Sequence, residues 1–355
     1  METNPILEQK CPACGAPMIY NPTLNKLECE FCGTTVDIPA QAIQEEPKPS
    51  RKEKDEALNQ MEPLPVYNCV SCGAEVLVSQ ETGALTCPYC RNNIVLTQQF
   101  SGTIKPDGIV PFKITPDSLP QAVNDFYKDK PLLSKSFFSD STMSKITGVY
   151  VPFWVFDCDV SGEVTFNGSK TGGSYRRGDY IYTDVKHYSL ERNVSMSFAD
   201  LAVDASKKMD DALMDSVAPF NLKECKPFDV RYLAGYVADR FDQTSKEVQE
   251  RNDKRVTSTA SSLAMSHTTS GFENVSMRQN GLKPIMKQAK YILLPIYVFK
   301  IGFEGKDYDF AVNGQTGKVV GTLPRDTRVE AKYFFKYFLI GFLFVAILIF
   351  VFFVW

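Results

Sequence analysis

Three patterns of hydrophobic and polar positions divide the chain. At its end, residues 337–355 form a run of nineteen with no charge, no proline and no strongly polar side chain. As a helix it would be about 28 Å long and apolar on every face, which predicts a membrane span rather than a core helix with one polar stripe. Tyr333 and Tyr337 lie at one end and Trp355 at the other, where interfacial aromatic anchors sit. Between about Ser101 and Thr322, β-rich runs alternate with helical stretches. There "GIVPFKI" and the alternating "TDVKHYSLERNVSMSF" read as strands, and "VYVPFWVFDCDVSGEVTFNG" as a buried strand that turns into a second. Helices are expected after Asp117 or Ser118 and from about Thr244 to Met265. In the first hundred residues, short runs such as "MIY" and "VLV" lead into the turn-forming "NPTLNK" and "SQETGA", the pattern of small hairpins.

Two of the middle strands look alike. "VPFWVF" and "LPIYVF" both place proline second in an aromatic-flanked apolar strand, and both lead to a glycine and then to an Asn-Gly turn. Their spacing of about 143 residues suggests a weak internal duplication.

The small hairpins carry the chemistry. Cys11 and Cys14 are separated by fourteen residues from Cys29 and Cys32, and Cys69 and Cys72 by fourteen from Cys87 and Cys90. Two Cys-x-x-Cys turns joined by a hairpin supply the four soft ligands that tetrahedral zinc requires, so both modules are expected to be zinc ribbons, each with one structural Zn2+. With four thiolates no coordination position is open for water, which argues against zinc-hydroxide catalysis. Gly15, Gly33 and Gly73 follow the second cysteine of a pair, and Arg91 stands at the fourth such place. Cys158 and Cys225 are isolated and read as packing residues.

Charge narrows the partners. The formal net charge is −3, and neither module has a basic stripe with interleaved aromatics. Side chains from Lys10 to Ala40 set Lys10 and Lys26 against Glu28, Glu30 and Asp37, and two thiolate-rich centres add further negative charge. Because phosphate binding rests largely on Lys and Arg, this argues against nucleic acid and for protein docking. The segment between the modules, "QAIQEEPKPSRKEKDEALNQMEPLP", has mixed charge and prolines at both ends, and is expected to be a flexible, solvated tether with at most a transient helix from Ser50 to Met61. The modules are accordingly expected to move independently or to pack loosely.

No catalytic constellation stands out. The two histidines, His187 and His267, have no nucleophile beside them, "QTGKVVG" lacks the spacing of a phosphate loop, and "SKTGGSYRRGDY" fits an exposed hairpin connection. The reading is a non-enzyme without a small-molecule substrate. The opening "METNPILEQK" is short and polar, which argues against a secretory signal and for a reducing compartment. Arg325, Arg328, Lys332 and Lys336 outweigh Asp326 and Glu330 beside the apolar run, which places that flank in the cytoplasm. A single-pass, tail-anchored protein of the cell membrane, with the bulk of the chain cytoplasmic, is therefore expected.

"CPACGAPM" with "CEFCG", "CVSCGAE" with "CPYC", "VPFWVFD" and "VNGQTGKVVG" together resemble a bacterial family of YdjG-like proteins. The resemblance covers the whole architecture of paired ribbons of transcription factor IIB type, an α+β middle and one membrane helix. It implies an adaptor of membrane-stress systems that helps recruit phage-shock-type (PspA-like) and flotillin-like partners to the bilayer. The alternative is a membrane-tethered nucleic-acid-binding regulator. The expected multidomain architecture is ribbon 1 over residues 1–40, a linker over 41–65, ribbon 2 over 66–100, an α+β domain over 101–325, a basic juxtamembrane segment over 326–336 and a transmembrane helix over 337–355.

Overall fold

A computed structural model of the chain describes residues 10–38, 50–59, 67–68, 75–76, 82–86, 93–95, 104–128, 130, 133, 137, 142–143, 146–268, 270–324 and 327–354. Three short strands, β1 (Ile19–Asn21), β2 (Lys26–Glu28) and β3 (Thr35–Asp37), form an antiparallel sheet in that order. Asn21 shapes the first hairpin, because its side-chain oxygen accepts from the N–H groups of Thr23 and Leu24 while Asn25 takes φ +53°.

Helix α1 (Arg51–Asn59) comes next, followed by the strands β4 (Tyr67–Asn68), β5 (Glu75–Val76), β6 (Thr82–Thr86), β7 (Asn93–Val95) and β8 (Gly108–Ile109). A 3-10 turn at Pro116–Ser118 leads into α2 (Leu119–Lys128), which is the helix expected after Asp117, and β9 (Thr142–Met143) follows. Strands β10 (Thr147–Arg177) and β11 (Tyr180–Asp204) then make one long antiparallel hairpin. The chain continues through α3 (Asp211–Val217), β12 (Val237–Asp239), α4 (Ser245–Thr268), β13 (Glu273–Asn280), β14 (Lys283–Phe303), β15 (Lys306–Asn313) and β16 (Val319–Gly321) to α5 (Thr327–Val354). The large sheet runs β16-β15-β14-β10-β12-β6-β7, with β11 and β13 also on β10, and β8 and β9 on β14.

Strands β10 and β14 are covered on both faces where their sequences are continuously apolar. Tyr150, Trp154 and Phe156 face one core with Tyr291, Leu293 and Tyr297, while Val149, Val151 and Phe153 face a second with Met214 and Val217 of α3. Further along, Val160, Val164 and Phe166 pack on Val256, Ala260 and Ala264 of α4. The two similar strands are neighbours: Val151 lies opposite Leu294, Pro152 opposite Leu293 and Tyr150 opposite Pro295. Val151 and Leu294, which begin the two similar runs, thus face each other across the local two-fold relation that any antiparallel pair has.

Two expectations are corrected. The run from Val149 to Gly168 does not turn into a second strand and Asn167-Gly168 makes no turn, because β10 runs unbroken from Thr147 to Arg177. A side chain at Gly168 would meet Leu190 at 3.0 Å and Phe272 at 3.3 Å, so the glycine admits close packing instead. The second pair, Asn313-Gly314, does turn, with Asn313 accepting from the N–H groups of Gln315 and Thr316. The segment between the cysteine modules also differs from a solvated tether over residues 51–59, where α1 is docked against α4. Arg51 donates to Ser245, to Gln249 (2.8 Å) and to the Met286 sulfur (2.8 Å), and Asp55 accepts from the Ser245 N–H and hydroxyl at 2.7 Å each. A mixed-charge helix with an unfavourable apolar face in isolation is held here by specific polar contacts that no periodicity announces.

Helix α5 is long and apolar enough to cross a membrane: Thr327–Phe350 has a mean hydropathy of 2.3 and none of it is buried against the rest of the chain.

Candidate metal centre

The first module brings its four cysteines together. The sulfurs of Cys11, Cys14, Cys29 and Cys32 all lie within 4.8 Å of one another, with Cys11 to Cys32 and Cys14 to Cys29 at 3.5 Å. A tetrahedron with Zn–S bonds of about 2.3 Å has edges of about 3.8 Å, so the donor set fits a tetrahedral ion of that size. Two equivalent turns build it. The Cys11 N–H donates to Ala16 O at 2.8 Å and the Gly15 N–H to Cys11 O at 2.9 Å; in the second turn Cys29 donates to Thr34 O and Gly33 to Cys29 O, both at 2.9 Å. Gly15 and Gly33 take φ +74° and +73°, which is why glycine follows the second cysteine of each pair.

The electrostatics suit a cation. Burial would raise the Cys11 thiol, but N–H groups of Cys14 and Ala13 and the neighbouring thiols outweigh it and lower it to about 6. Cys32 is lowered by the Thr34 hydroxyl and N–H. Cys14 is lowered by the Ala16 N–H but raised further by hydrogen bonds to Cys32 and Cys29, and ends at about 12. Four crowded thiols cannot all ionise unaided, whereas a divalent ion among them removes that competition. Cys11 and Cys29 are buried and Cys14 and Cys32 exposed, so the cluster sits at the surface with two sulfurs turned inward.

The module is docked on the main domain rather than loose. The Tyr20 N–H donates to Ala234 O at 3.0 Å, the Tyr20 ring meets Tyr232 edge-on at 5.3 Å, and Lys226 donates to Asn25 at 3.1 Å. Cys11, Met18, Tyr20, Leu27 and Cys29 therefore share one core with the large sheet.

Cys69, Cys72, Cys87 and Cys90 lie outside the described residues. The strands bracketing them are described: β4 pairs with β5 on either side of the first pair, and β6 with β7 on either side of the second. In the first module the bridge Lys10 to Pro17 and the pairing of β2 with β3 bracket Cys11–Cys14 and Cys29–Cys32 in the same way. Strand β6 also extends the large sheet, with Ala84 opposite Ala238.

His187 is exposed on β11 opposite Ser169, and His267 is exposed in the last turn of α4, so among the described residues the structure does not bring the two histidines to the Cys11 cluster. Cys158 is buried among the residues packed on α4, in keeping with a packing role, and Cys225 is half-buried with its sulfur against Gly108. Sequence reasoning missed Phe31, which is 76% exposed on the outer turn of the cluster. Its signal is position: the two residues inside a Cys-x-x-Cys turn point away from the sulfurs.

No protein-family model and no solved structure matches the chain. A relative in Bacillus subtilis (strain 168), bearing the name Uncharacterized protein YdjG, is 33% identical over 329 residues, covering 93% of each chain. With that identity over nearly the full length, the chain belongs to the YdjG family.

Proposed function

We propose that the chain is a membrane-anchored cytoplasmic adaptor in which two four-cysteine zinc ribbons and the α+β domain present docking surfaces beside the bilayer. The observation that carries the reading is Phe31, an aromatic ring 76% exposed on the outer turn of a closed, all-thiol cluster. A metal held by four cysteines holds shape and leaves no ligand position for a substrate. What such a centre offers is a rigid turn, and an exposed aromatic on a rigid turn is a protein-docking feature. Glu30 beside it and Glu28 in β2 make the surface acidic, which disfavours phosphate backbones. Helix α5 supplies the anchor, and anchoring raises the local concentration of a weakly bound partner. The resemblance to membrane-stress adaptors supports phage-shock-type and flotillin-like proteins as the partners.

The test is nuclease-treated affinity purification of the full-length protein from solubilised membranes, with and without Phe31→Ala. Stoichiometric proteins that are recovered with the parent and depleted from the variant support the reading. Nucleic acid on the untreated parent with no protein partner replaces it with a nucleic-acid-binding role.

A further inference from the structure

Beyond Ser169 strand β10 loses its β13 neighbour and keeps only β11. Residues 170–177 and 180–189 form a two-stranded arm closed by Gly178, at φ +64°, and Asp179, and every side chain from 170 to 189 is exposed. A bare two-stranded ribbon is marginal in water, and this one turns large apolar groups into solvent. Tyr175 stacks on Tyr182 at 5.5 Å on one face, with Tyr180 further toward the turn. Ile181 leaves the opposite face and is the most exposed of them, at 75%.

Charge accompanies the aromatics. Residues 170–189 carry Lys170, Arg176, Arg177 and Lys186 against Asp179 and Asp184, a net of two positive charges. Arg176 and Arg177 adjoin the turn and make no ion pair among the described residues.

We propose that the apex of this arm, residues 175–182, enters the headgroup layer of an anionic lipid bilayer. Apolar side chains leave both faces at the apex, so the matching partner surrounds it, whereas a nucleic-acid strand would lie along one face. Tyrosines suit the interfacial layer, and arginines within two residues of the turn stand where lipid phosphates would be. The arm also lies at the far end of the sheet from α5. Gly321 is opposite Phe310, which is opposite Phe299, one residue beyond the Val298–Thr147 pair where β10 begins. The 31 residues of β10 then run about 100 Å along the strand to the apex. The chain thus has a second lipid contact remote from its membrane-length helix. This contact needs no protein partner and stands or falls apart from the adaptor reading.

The test places a tryptophan at the apex. Full-length Ile181→Trp is reconstituted in liposomes of brominated phosphatidylglycerol or brominated phosphatidylcholine, and the parent spectrum is subtracted to remove Trp154 and Trp355. Expected is added emission that is blue-shifted and quenched in the anionic liposomes, with the quenching lost when Arg176→Glu and Arg177→Glu are added. All of these positions are exposed, and unchanged thermal unfolding of the variants verifies the fold. Water-like emission in anionic liposomes, equal quenching in both lipids, or a response to polyuridylate without one to lipid would each overturn the proposal.

Discussion

Lys54 Nζ stands 2.7 Å from Asp107 Oδ2, with the lysine side chain only 1% exposed. The same carboxylate oxygen accepts the Tyr291 N–H at 2.7 Å, and the ammonium lies 5.6 Å from the centre of the Tyr291 ring. One buried lysine thus fastens the segment between the cysteine modules to the middle of β14.

Removing one partner of such a pair leaves the other charged in a poorly hydrated site. Lys54→Ala should cost roughly 3 kcal/mol, while Lys54→Met combined with Asp107→Asn should cost much less because no charge is stranded. Denaturant unfolding followed through the buried Trp154 measures both. Equal losses in the two variants would show that packing of α1, not charge, holds it.

The cysteine cluster has a metal prediction. Cys29→Ser should lower the metal content of the purified protein by one zinc per chain, read by elemental analysis, and chelation of the parent should expose the first module to trypsin. Membrane association should persist in both, since α5 is far from the cluster in sequence.

Docking of the first module rests on the Tyr20 side. Tyr20→Ala removes a buried ring against Tyr232 and should destabilise by about 3 kcal/mol, while Tyr20→Phe loses only the 2.9 Å hydrogen bond to Asn25, about 1 kcal/mol. Gly235→Val should undock the module with its own core intact, because the glycine takes φ +88° and a side chain there would meet Ile19 at 3.0 Å. Faster trypsin cleavage of residues 10–38 in Gly235→Val, with metal content retained, is the expected pattern.

Asp204, at the end of β11, links stability to pH. Burial raises its carboxyl to about 6 even though Arg251 faces it, because Asp211 and Asp215 oppose its ionisation. Arg251 also pairs with Asp211, and Arg255 holds Asp215 at 2.9 Å. The folded protein therefore keeps a proton that the unfolded chain has released between about pH 4 and about pH 6. Stability from this group is present below the unfolded pKa and is lost as pH rises through that window, by an amount on the order of 2–3 kcal/mol. Asp204→Asn should remove that component, seen as a difference between variant and parent melting curves across the window. Parallel curves would refute it.

Residues 337–355 were legible as a membrane-length helix because nineteen consecutive apolar residues leave a chain few alternatives. The helix at Leu119–Lys128 was legible from the start signal at Asp117 or Ser118, the one at Ser245–Thr268 was expected within a few residues of its bounds, and the Cys11 cluster was legible from spacing alone, since a turn with a cysteine at each end can point both sulfurs only one way. Each of these signals is local, and local signals survive in a linear reading.

What escaped is non-local. Asn167-Gly168 has the chemistry of a turn, yet Leu190 and Phe272 close on that glycine and the strand continues for nine residues beyond it into the exposed arm. The charges of α1 look solvated until Asp107 and Ser245, far along the chain, are placed beside them. Tyr20 is an ordinary strand residue until Tyr232 and Ala234 meet it. The sequence by itself determined α2, α4, the Cys11 turns and the membrane-length span, because backbone propensity and ligand spacing act within a few residues. Only the tertiary structure decided which charges are buried, which module is docked and which aromatics stay bare, because those depend on the surface that distant segments bring to each side chain.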